Sequence, residues 1–464
     1  MPKAYPHILL FLFLFFGLFN SSFAEWAYID SSQLKSVGKA LFGGKLHPNI
    51  RYFYMNTDNS GDNYDAYANG LGWGISYETH PWKGISAGIS GQWMYNLGSS
   101  SFSTTPQSTI LNRYEMGLFD LTNPSSSAVL GRLEKLYLHY SYRKSSIKLG
   151  RQVINTPFIN PQDGRLRPTA VSGIWLDWNQ IPATKIEAGY LQAISPRSTT
   201  HWYGIGESIG IYPQGFNPDG SKSNYLGNVP SQGIGLLGIT FKQIKPVQFQ
   251  IWNMYVDQVM YTWMLQADAQ WAANKRSQWV TGLQYMEQHS LTSHNINPSK
   301  QYMNPGAMSR TWGAKLGWEN KQWKTSLNFN RITGEGRYLM PREWGKDPFY
   351  TFMPRERNEG FGGVNAYVAR VAYLWPKLPL KTQISHGLFY LPAVNQVALN
   401  KYAMPSYAQT NIDLNYEPKG KWKGISLSLI WVLKNAIDSA LIEDKYTINK
   451  VNMKQINFVI NYTW

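Results

Sequence analysis

The chain of 464 residues contains no cysteine, and charged residues make up only 16% of it. Without cysteine there is no disulfide framework, no thiolate nucleophile and no Cys-ligated metal site. Soluble chains carry about 25% charged residues, so this composition is poor in charge. Aromatic residues reach 15%, which excludes disorder, because disordered chains are highly charged and poor in aromatic side chains.

Long apolar runs are also scarce, and the first residues hold the main one. Lys3 precedes an apolar stretch from Ile8 to Phe19, and Ala24 ends a small-residue cleavage pattern, so residues 1–24 are predicted to be a signal peptide. The stretch is shorter than the roughly 20 residues of a spanning helix, and an uncleaved anchor is the alternative. After Ala24 no segment is apolar for long enough to predict a membrane helix.

A two-residue period runs through the rest of the chain. In the last segment Ile456, Phe458 and Ile460 share one face of an extended strand, whereas Asn457 and Asn461 lie on the other. This pattern predicts about eighteen strands, at 48–57, 70–79, 84–95, 132–143, 145–152, 170–178, 183–194, 233–242, 246–256, 259–270, 277–287, 310–319, 322–332, 362–374, 379–391, 408–417, 423–434 and 454–464.

The links between these segments alternate between short and long. Short periplasmic turns and long extracellular loops are typical of an outer-membrane barrel, although the link near Asp257 is short where a long one is expected. A soluble β-sandwich or propeller is the alternative. The prediction is an all-β fold with one transmembrane antiparallel β-barrel of about 18 strands over 48–464, preceded by a periplasmic segment over 25–47, with two loops folded into the lumen.

Two long loops have the composition to narrow such a pore. Residues 153–169 contain three prolines and several turn formers, and therefore cannot extend a strand ladder. Residues 333–361 carry dense charges of both signs. The alternative for this second loop is a solvated external loop held by its own salt bridges.

Basic residues recur at the parity expected to face the lumen. A charge that faces lipid at the midplane costs about 2–4 kcal/mol, so these side chains belong inside the barrel or at its rims, where they would meet headgroups. The formal net charge is +16, and removal of Lys3 leaves +15. Rings of Arg and Lys select anions, and Arg binds a carboxylate with two parallel hydrogen bonds. The predicted basic ladder is Lys135, Arg143, Lys315, Arg370 and Lys381.

Two long motifs resemble signatures of the OprD family of outer-membrane porins. They lie at 149–168 and 341–360, and weaker similarities lie at 53–58, 194–197 and 400–407. The resemblance implies an eighteen-stranded barrel that passes small water-soluble solutes, commonly carboxylates such as amino acids or aromatic acids. The residues that match the two motifs are Asp163, Arg165, Arg167, Arg342, Glu343, Asp347, Arg355 and Arg357. Together with Arg151 and Arg337 they are the predicted substrate path and constriction.

The expected partners are the lipid bilayer, lipopolysaccharide and small anionic or zwitterionic solutes. The barrel-assembly machinery is expected to recognise the last strand, which ends at Trp464. No cofactor or metal is expected, because no phosphate loop or clustered set of metal ligands stands out. The basic charge could suggest nucleic acid, but an exported barrel is not expected to meet it.

Two other functions compete with passive transport. An outer-membrane enzyme, such as a lipase-like or protease-like barrel, would need a Ser/His/Asp set, and none stands at a diagnostic spacing around His139 or His201. A plugged receptor or adhesin would need a domain ahead of the first strand, and the segment from Glu25 to His47 is too short for one. The sequence therefore favours a substrate-selective porin and not an enzyme.

Overall fold

A single sheet that closes on itself dominates the computed structural model, which describes residues 37–102, 113–123, 130–162, 164–437 and 442–464. Eighteen long antiparallel strands in these ranges form the wall, and a two-residue strand, Tyr203–Gly204, pairs beside them in a loop. The predicted eighteen-stranded barrel is confirmed, and each predicted strand overlaps an observed one with ends that agree within four residues.

The strands are numbered here in chain order. They are β1 Lys45–Asn59, β2 Ala66–Glu78, β3 Ile85–Asn96, β4 Leu130–Tyr142, β5 Ser145–Gln152, β6 Ala170–Trp178, β7 Thr184–Ser195, β8 Ile234–Phe241, β9 Val247–Val256, β10 Met260–Asn274, β11 Ser277–Ser290, β12 Met308–Asn320, β13 Trp323–Ile332, β14 Val364–Leu374, β15 Leu380–Tyr390, β16 Tyr407–Tyr416, β17 Ile425–Ala436 and β18 Met453–Thr463.

Helices are few and short in the described part of the chain. They are α1 Val37–Phe42, α2 Arg113–Met116 and α3 Asp444–Thr447, with single 3-10 turns at Gly206–Ser208, Pro298–Lys300 and Gly420–Trp422. Across the described residues, none of the helices combines the length and the apolar character needed to cross a membrane.

The barrel closes where β1 pairs with β18, in a register that places Asn49 opposite Thr463. Closure removes both sheet edges, so every strand finds its backbone partners within the wall, as a bilayer requires. Successive residues of each strand then face the lipid side and the lumen in alternation. On β13, for example, Leu327 is 65% exposed on the outer surface, whereas Asn328 is 4% exposed and faces the lumen. The outer wall is thus apolar and the inner wall polar.

The two rims differ in the length of their connections. Turns of two to eight residues join β2 to β3, β4 to β5 and each later pair on one rim, which we call the short-turn rim. The opposite rim carries the long connections, which follow β3, β5, β7, β11, β13 and β15. The link 257–259 on this long-loop rim is short, as the sequence indicated.

The N-terminal part is described only from Val37 onward, so the predicted signal peptide over 1–24 and residues 25–36 lie outside the described ranges. Helix α1 lies at the short-turn rim against β2, where the Tyr77 hydroxyl donates to the Leu41 carbonyl and accepts from the Gly44 amide. Strand β1 begins directly after it, at Lys45.

The core of the molecule lies inside the barrel, on the side of the long loops. Phe158 and Trp344, which belong to the two loops expected to fold inward, are both fully buried there. They pack in one cluster with inward residues of the wall, such as Met254 and Phe389. Burial of these large side chains, at about 25 cal/mol per Å² of apolar surface, holds the loops inside the lumen.

Candidate functional site

The two inward loops are fastened to each other. The Asn160 side chain donates to the Lys346 carbonyl at 3.1 Å and accepts from the Lys346 amide at 2.9 Å. The Thr169 hydroxyl donates to the Glu343 carbonyl at 3.1 Å. These bonds make 153–169 and 333–363 one structural unit across the lumen.

The wall holds the second loop through inward polar side chains. Arg370 of β14 donates to the carbonyls of Tyr350 at 2.7 Å and Phe352 at 2.6 Å. Gln288 of β11 donates to the Leu339 carbonyl at 2.7 Å. Because these donors lie on different strands, the loop is tied at several points around the barrel.

A third segment, 196–233, also folds inward, whereas the sequence indicated two. The buried Glu343 carboxylate accepts the amides of Gly210 at 3.0 Å and Tyr212 at 2.8 Å. Gly210 has φ +101°, and a Cβ there would lie 2.9 Å from the Tyr225 ring, so this close approach requires glycine. Burial raises the pKa of Glu343, an effect that the two amides oppose. The third loop brings Arg197 into the lumen.

Residues 113–123 of the preceding long loop complete the inner structure. Ser198 donates to the Gly117 carbonyl at 2.6 Å, and the Asp120 carboxylate accepts the Thr200 hydroxyl at 2.7 Å. Four loop segments therefore meet in the lumen, and the space left between them is the candidate site.

This space is a narrow cavity whose border is strongly basic. Tyr114, Tyr212 and Tyr402 contribute aromatic surface, and Glu356 is the acidic group among the described residues that border it. Its described basic residues are Arg165, Arg197, Arg342, Arg355, Arg357, Lys434 and Lys450.

A second cavity lies toward the short-turn rim. It is bordered by Arg51, Lys135 and Arg167, and it reaches the last residue of the chain, Trp464. Gln162 and Arg165 border both cavities. The neck between the upper and lower spaces is therefore at these two residues, and a solute that crosses the barrel along this route passes Arg165.

Arg165 and Arg167 are buried cations of different environments. Arg165 donates to the Gly164 carbonyl at 2.7 Å, and burial lowers the pKa of its guanidinium to about 10, so it stays charged at neutral pH. Arg167 is 3% exposed, and among the described residues none of its three guanidinium nitrogens has a hydrogen-bond partner. Burial and the neighbouring Arg132 lower the pKa of Arg167.

Arg342 and Arg357 border the upper cavity. Arg342 donates to Glu359 at 2.6 Å and stacks 3.9 Å from the centre of the Tyr402 ring, and its pKa is raised by the Glu359 carboxylate and by Tyr402 against the effect of burial. Arg357 donates to Gln162 at 2.7 Å, and burial lowers its pKa. Both guanidinium groups are thus fixed in direction.

Three other predicted residues of the loops hold the loops together through hydrogen bonds. Arg337 donates to the carbonyls of Phe216 and Ala398, at 2.8 and 3.1 Å, and so joins three loops outside the neck. Asp347 accepts the Asn358 amide at 2.8 Å, and burial raises its pKa to about 6. Glu343 holds the third loop, as described above. Asp163 lies outside the described residues.

Arg151 is not among the residues that meet in the lumen. It shares the outward parity of Leu149, which is 58% exposed, and it stacks on Trp202 at 4.7 Å. Arg143 likewise lies in the exposed two-residue turn after β4, at φ +51°, over the Tyr142 ring. Arg151 came from the family motif, although its place in β5 gives it the outward parity of Leu149; Arg143 follows the end of β4, where the parity of the strand no longer applies.

The other members of the predicted ladder have inward parity. Lys135 borders the lower cavity, and Arg370 ties the second loop. Lys315 alternates with the outward Leu316, which is 52% exposed, and Lys381 alternates with the outward side of β15. They are spread around the wall and do not form one cluster.

Several residues of the upper cavity were missed from the sequence. Arg197 lies in one of the weaker family similarities, and that position was the available signal. Lys434 lies at a position of β17 where side chains are polar. It pairs with Glu356, 78 residues away, and its ammonium lies 4.1 Å from the centre of the Tyr407 ring. Neither contact is visible in the local sequence.

A buried ammonium joins the outer ends of the loops. Lys401 is 2% exposed and has the rings of Tyr225, Tyr302 and Tyr402 around it at 5.0, 4.7 and 5.6 Å. Burial lowers the pKa of Lys401 to about 8. Within the described ranges, no group of three or more His, Asp or Glu side chains is arranged to hold a metal ion.

The comparisons with known proteins agree with this architecture. The sequence matches the family model described as outer membrane porin, OprD family, over residues 127–354. A search of curated proteins found no match.

Similar solved structures include OccAB3 of Acinetobacter baumannii, with a TM-score of 0.72 at 15% identity over 91% of this chain and 99% of that one. OccK9 (OpdG) of Pseudomonas aeruginosa gives 0.70 at 13% identity over the same shares. The P. aeruginosa OpdK structure with vanillate gives 0.68 at 14% identity, again over 91% and 99%. At these identities the likeness concerns the fold.

Proposed function

This chain belongs to the OprD family of outer-membrane porins of bacteria, and from that premise we propose that it gives passive diffusion to small water-soluble solutes that carry a carboxylate. The route runs through the neck at Gln162 and Arg165. Transport is downhill, because a passive channel needs only a concentration gradient.

The observation that carries the proposal is the positive charge around the upper cavity. Seven described basic side chains border the upper cavity and one acidic side chain, Glu356, is already paired with Lys434. A lumen lined with one sign of charge and walled by protein concentrates counter-ions and draws them inward. Anions are therefore favoured over cations along this route.

Arg165 and Arg167 supply the chemistry for a carboxylate. A guanidinium forms two parallel hydrogen bonds to the two oxygens of a carboxylate, which a halide cannot accept in the same way. The buried nitrogens of Arg167 lack partners among the described residues. A buried charge of this kind is costly alone and is stabilised by an anion of matching geometry.

The aromatic side chains beside the arginines favour an organic anion with a flat or apolar body. Tyr114, Tyr212 and Tyr402 border the same cavity as Arg165. One of the similar structures is that of OpdK with vanillate, which is an aromatic carboxylate. Organic and aromatic acids, together with amino acids, therefore head the solutes to test.

Planar bilayers and liposomes test this proposal. The purified protein should form discrete channels that prefer anions, and liposome swelling should be faster with benzoate or an amino acid than with a neutral sugar of equal size. Arg165→Ala and Arg167→Ala should raise the half-saturating benzoate concentration about tenfold, since a charged hydrogen bond contributes about 1.5–3 kcal/mol.

The matched control is Arg143→Ala, which removes an arginine from an exposed turn outside the lumen. It should leave benzoate flux unchanged. Heat-modifiable gel mobility shows that each variant still forms a closed barrel. Cation preference in the wild-type protein, or unchanged benzoate saturation in both lumen variants, would refute the proposed route.

A further inference from the structure

A chain of buried polar side chains runs from the neck across the seam that closes the barrel. Arg355 donates to the Asn457 side-chain carbonyl, and the Asn457 amide donates to Gln455 at 3.1 Å. Gln455 then donates to the Thr57 hydroxyl at 2.7 Å, and that hydroxyl donates to the Glu115 carboxylate at 2.6 Å. Every bond has the same direction, from the guanidinium to the carboxylate.

All four groups behind Arg355 are sealed from solvent. Thr57, Glu115, Gln455 and Asn457 are each 0% exposed. Thr57 lies on β1 and Gln455 and Asn457 lie on β18, so the chain bridges the two strands whose pairing closes the wall. A buried polar group without a partner is costly, so each member of the chain is held in the one orientation that completes its bonds.

Arg355 is the end of the chain that meets the passage. It borders the upper cavity and is partly exposed there. Its backbone has φ +71°, a conformation that non-glycine residues seldom adopt, and its guanidinium lies 6.0 Å from the Phe53 ring centre. The unusual backbone and the bond to Asn457 together aim this side chain.

Glu115 stands at the other end, on helix α2 of the segment 113–123. The charged groups that act on it are Arg165 of the first inward loop and Arg355 of the second, and its hydrogen-bond donor from the wall is Thr57. One carboxylate oxygen, Oε2, is buried and has no hydrogen-bond partner among the described residues. The Glu115 charge therefore acts on both Arg165 and Arg355 and is not taken up by one close ion pair.

We propose that Glu115 is the buried counter-charge of the neck and, through Thr57, Gln455 and Asn457, a positioning residue for Arg355, so that anion preference depends on whether Glu115 is ionised. This inference rests on the proposed anion route. Ionised Glu115 subtracts one charge from the surroundings of Arg165 and Arg355, and neutral Glu115 leaves both cations uncompensated.

The acid–base behaviour of the group agrees with this role. Burial raises the pKa of Glu115 from 4.5 to about 7, against the opposing effects of the Thr57 bond and of Arg165 and Arg355. The carboxyl is then mostly neutral at pH 6 and mostly ionised at pH 8. The channel should accordingly be more anion-selective at the lower pH.

Reversal potentials in a KCl gradient across planar bilayers test the pH dependence. The wild-type ratio of anion to cation permeability should be at least about threefold higher at pH 6 than at pH 8, because one charge several ångströms away has about that effect even at the dielectric constant of water. Glu115→Gln keeps the shape and the acceptor for Thr57 but cannot ionise. It should show the pH 6 value of the wild type at both pH values.

Asn457→Leu tests the positioning of Arg355. It removes the bond to the guanidinium while keeping the branched shape of the side chain, and should raise the half-saturating benzoate concentration about threefold, less than the loss of a whole charged contact. The matched control is Thr262→Val, which removes a buried lumen hydroxyl that accepts from Gln288 at 2.9 Å. It should leave both selectivity and benzoate saturation as in the wild type.

The outcomes separate this inference from the function on which it rests. Cation preference in the wild type at both pH values would refute the anion route itself. An anion-selective wild type whose pH dependence persists in Glu115→Gln would refute the counter-charge. Wild-type benzoate saturation in Asn457→Leu, or an equal change in Thr262→Val, would refute the positioning role.

Discussion

The ion pair between Lys434 and Glu356 gives a prediction whose size follows from the structure. Both side chains are almost fully buried, at 1% and 5% exposure, and one lies on β17 while the other lies on the second inward loop. Removal of one partner from a buried pair leaves an uncompensated charge and costs about 3–5 kcal/mol. Lys434→Met should therefore destabilise the barrel by about that amount, because Glu356 stays buried.

The corresponding change in melting temperature is small for a chain of this length. An unfolding entropy of about 2.1 cal/mol/K per residue over 464 residues gives about 1 kcal/mol/K, so the expected decrease is about 3–5 °C. The double variant Lys434→Met/Glu356→Gln removes both charges and should recover most of that loss. Thermal conversion between the compact and unfolded gel bands measures both variants.

Two results would contradict this reasoning. If Lys434→Met has the melting temperature of the wild type, the ion pair does not stabilise the loop. If the double variant melts below Lys434→Met, the two losses add and the residues act independently.

Three further predictions follow from other contacts of the lumen. Arg370→Met loses the donors to two loop carbonyls, so conductance in bilayers should rise and become noisier; a wild-type trace would contradict the tether. The raised pKa of Glu115 means that the folded state keeps a proton that the unfolded chain loses, so the contribution of Glu115 to stability falls as the pH rises from 4.5 to 7. Between pH 5 and 8 this loss should lower the free energy of unfolding of the wild type by about 2–3 kcal/mol in urea titrations. Glu115→Gln cannot titrate and should not show this loss. Lys401→Met loses the contacts of the ammonium with the tyrosine rings, so protease cleavage in these loops should increase. Cleavage of this variant at the wild-type rate would show that these contacts do not hold the loops.

The wall of the barrel was predictable because its physics is local in sequence. One face of each strand meets lipid and the other meets water, so each strand carries its own period of two. Leu327 and Asn328 show this directly, with 65% and 4% exposure side by side. The closed sheet then follows from the need of lipid-embedded strands to satisfy all their backbone groups.

The site was predictable only where a motif marked it. Arg165, Arg342 and Arg357 were identified from the two long motifs, and all three border the upper cavity. Arg151 was included with them, but its side chain lies on the outer wall against Trp202. The motif covers the strand end as well as the loop, and membership in a motif does not give the direction of a side chain.

The missed part of the site depends on contacts between segments far apart in sequence. Thr57 and Gln455 are 398 residues apart and meet only because the barrel closes. Neither residue differs from any other polar residue at an inward position, and its significance comes from the direction of its hydrogen bonds. Such a bond is specified once register, closure and loop position are all fixed.

The rigid wall and the selective neck are therefore two consequences of one arrangement. A buried hydrogen-bond chain needs partners held to within a few tenths of an ångström, and strands locked in a closed ladder provide that precision where loops alone do not. Arg355 sits on a loop, yet its guanidinium is aimed by Asn457 of β18, which pairs with β1 in fixed register. The strands that close the barrel thus also fix the direction of a charge beside the upper cavity.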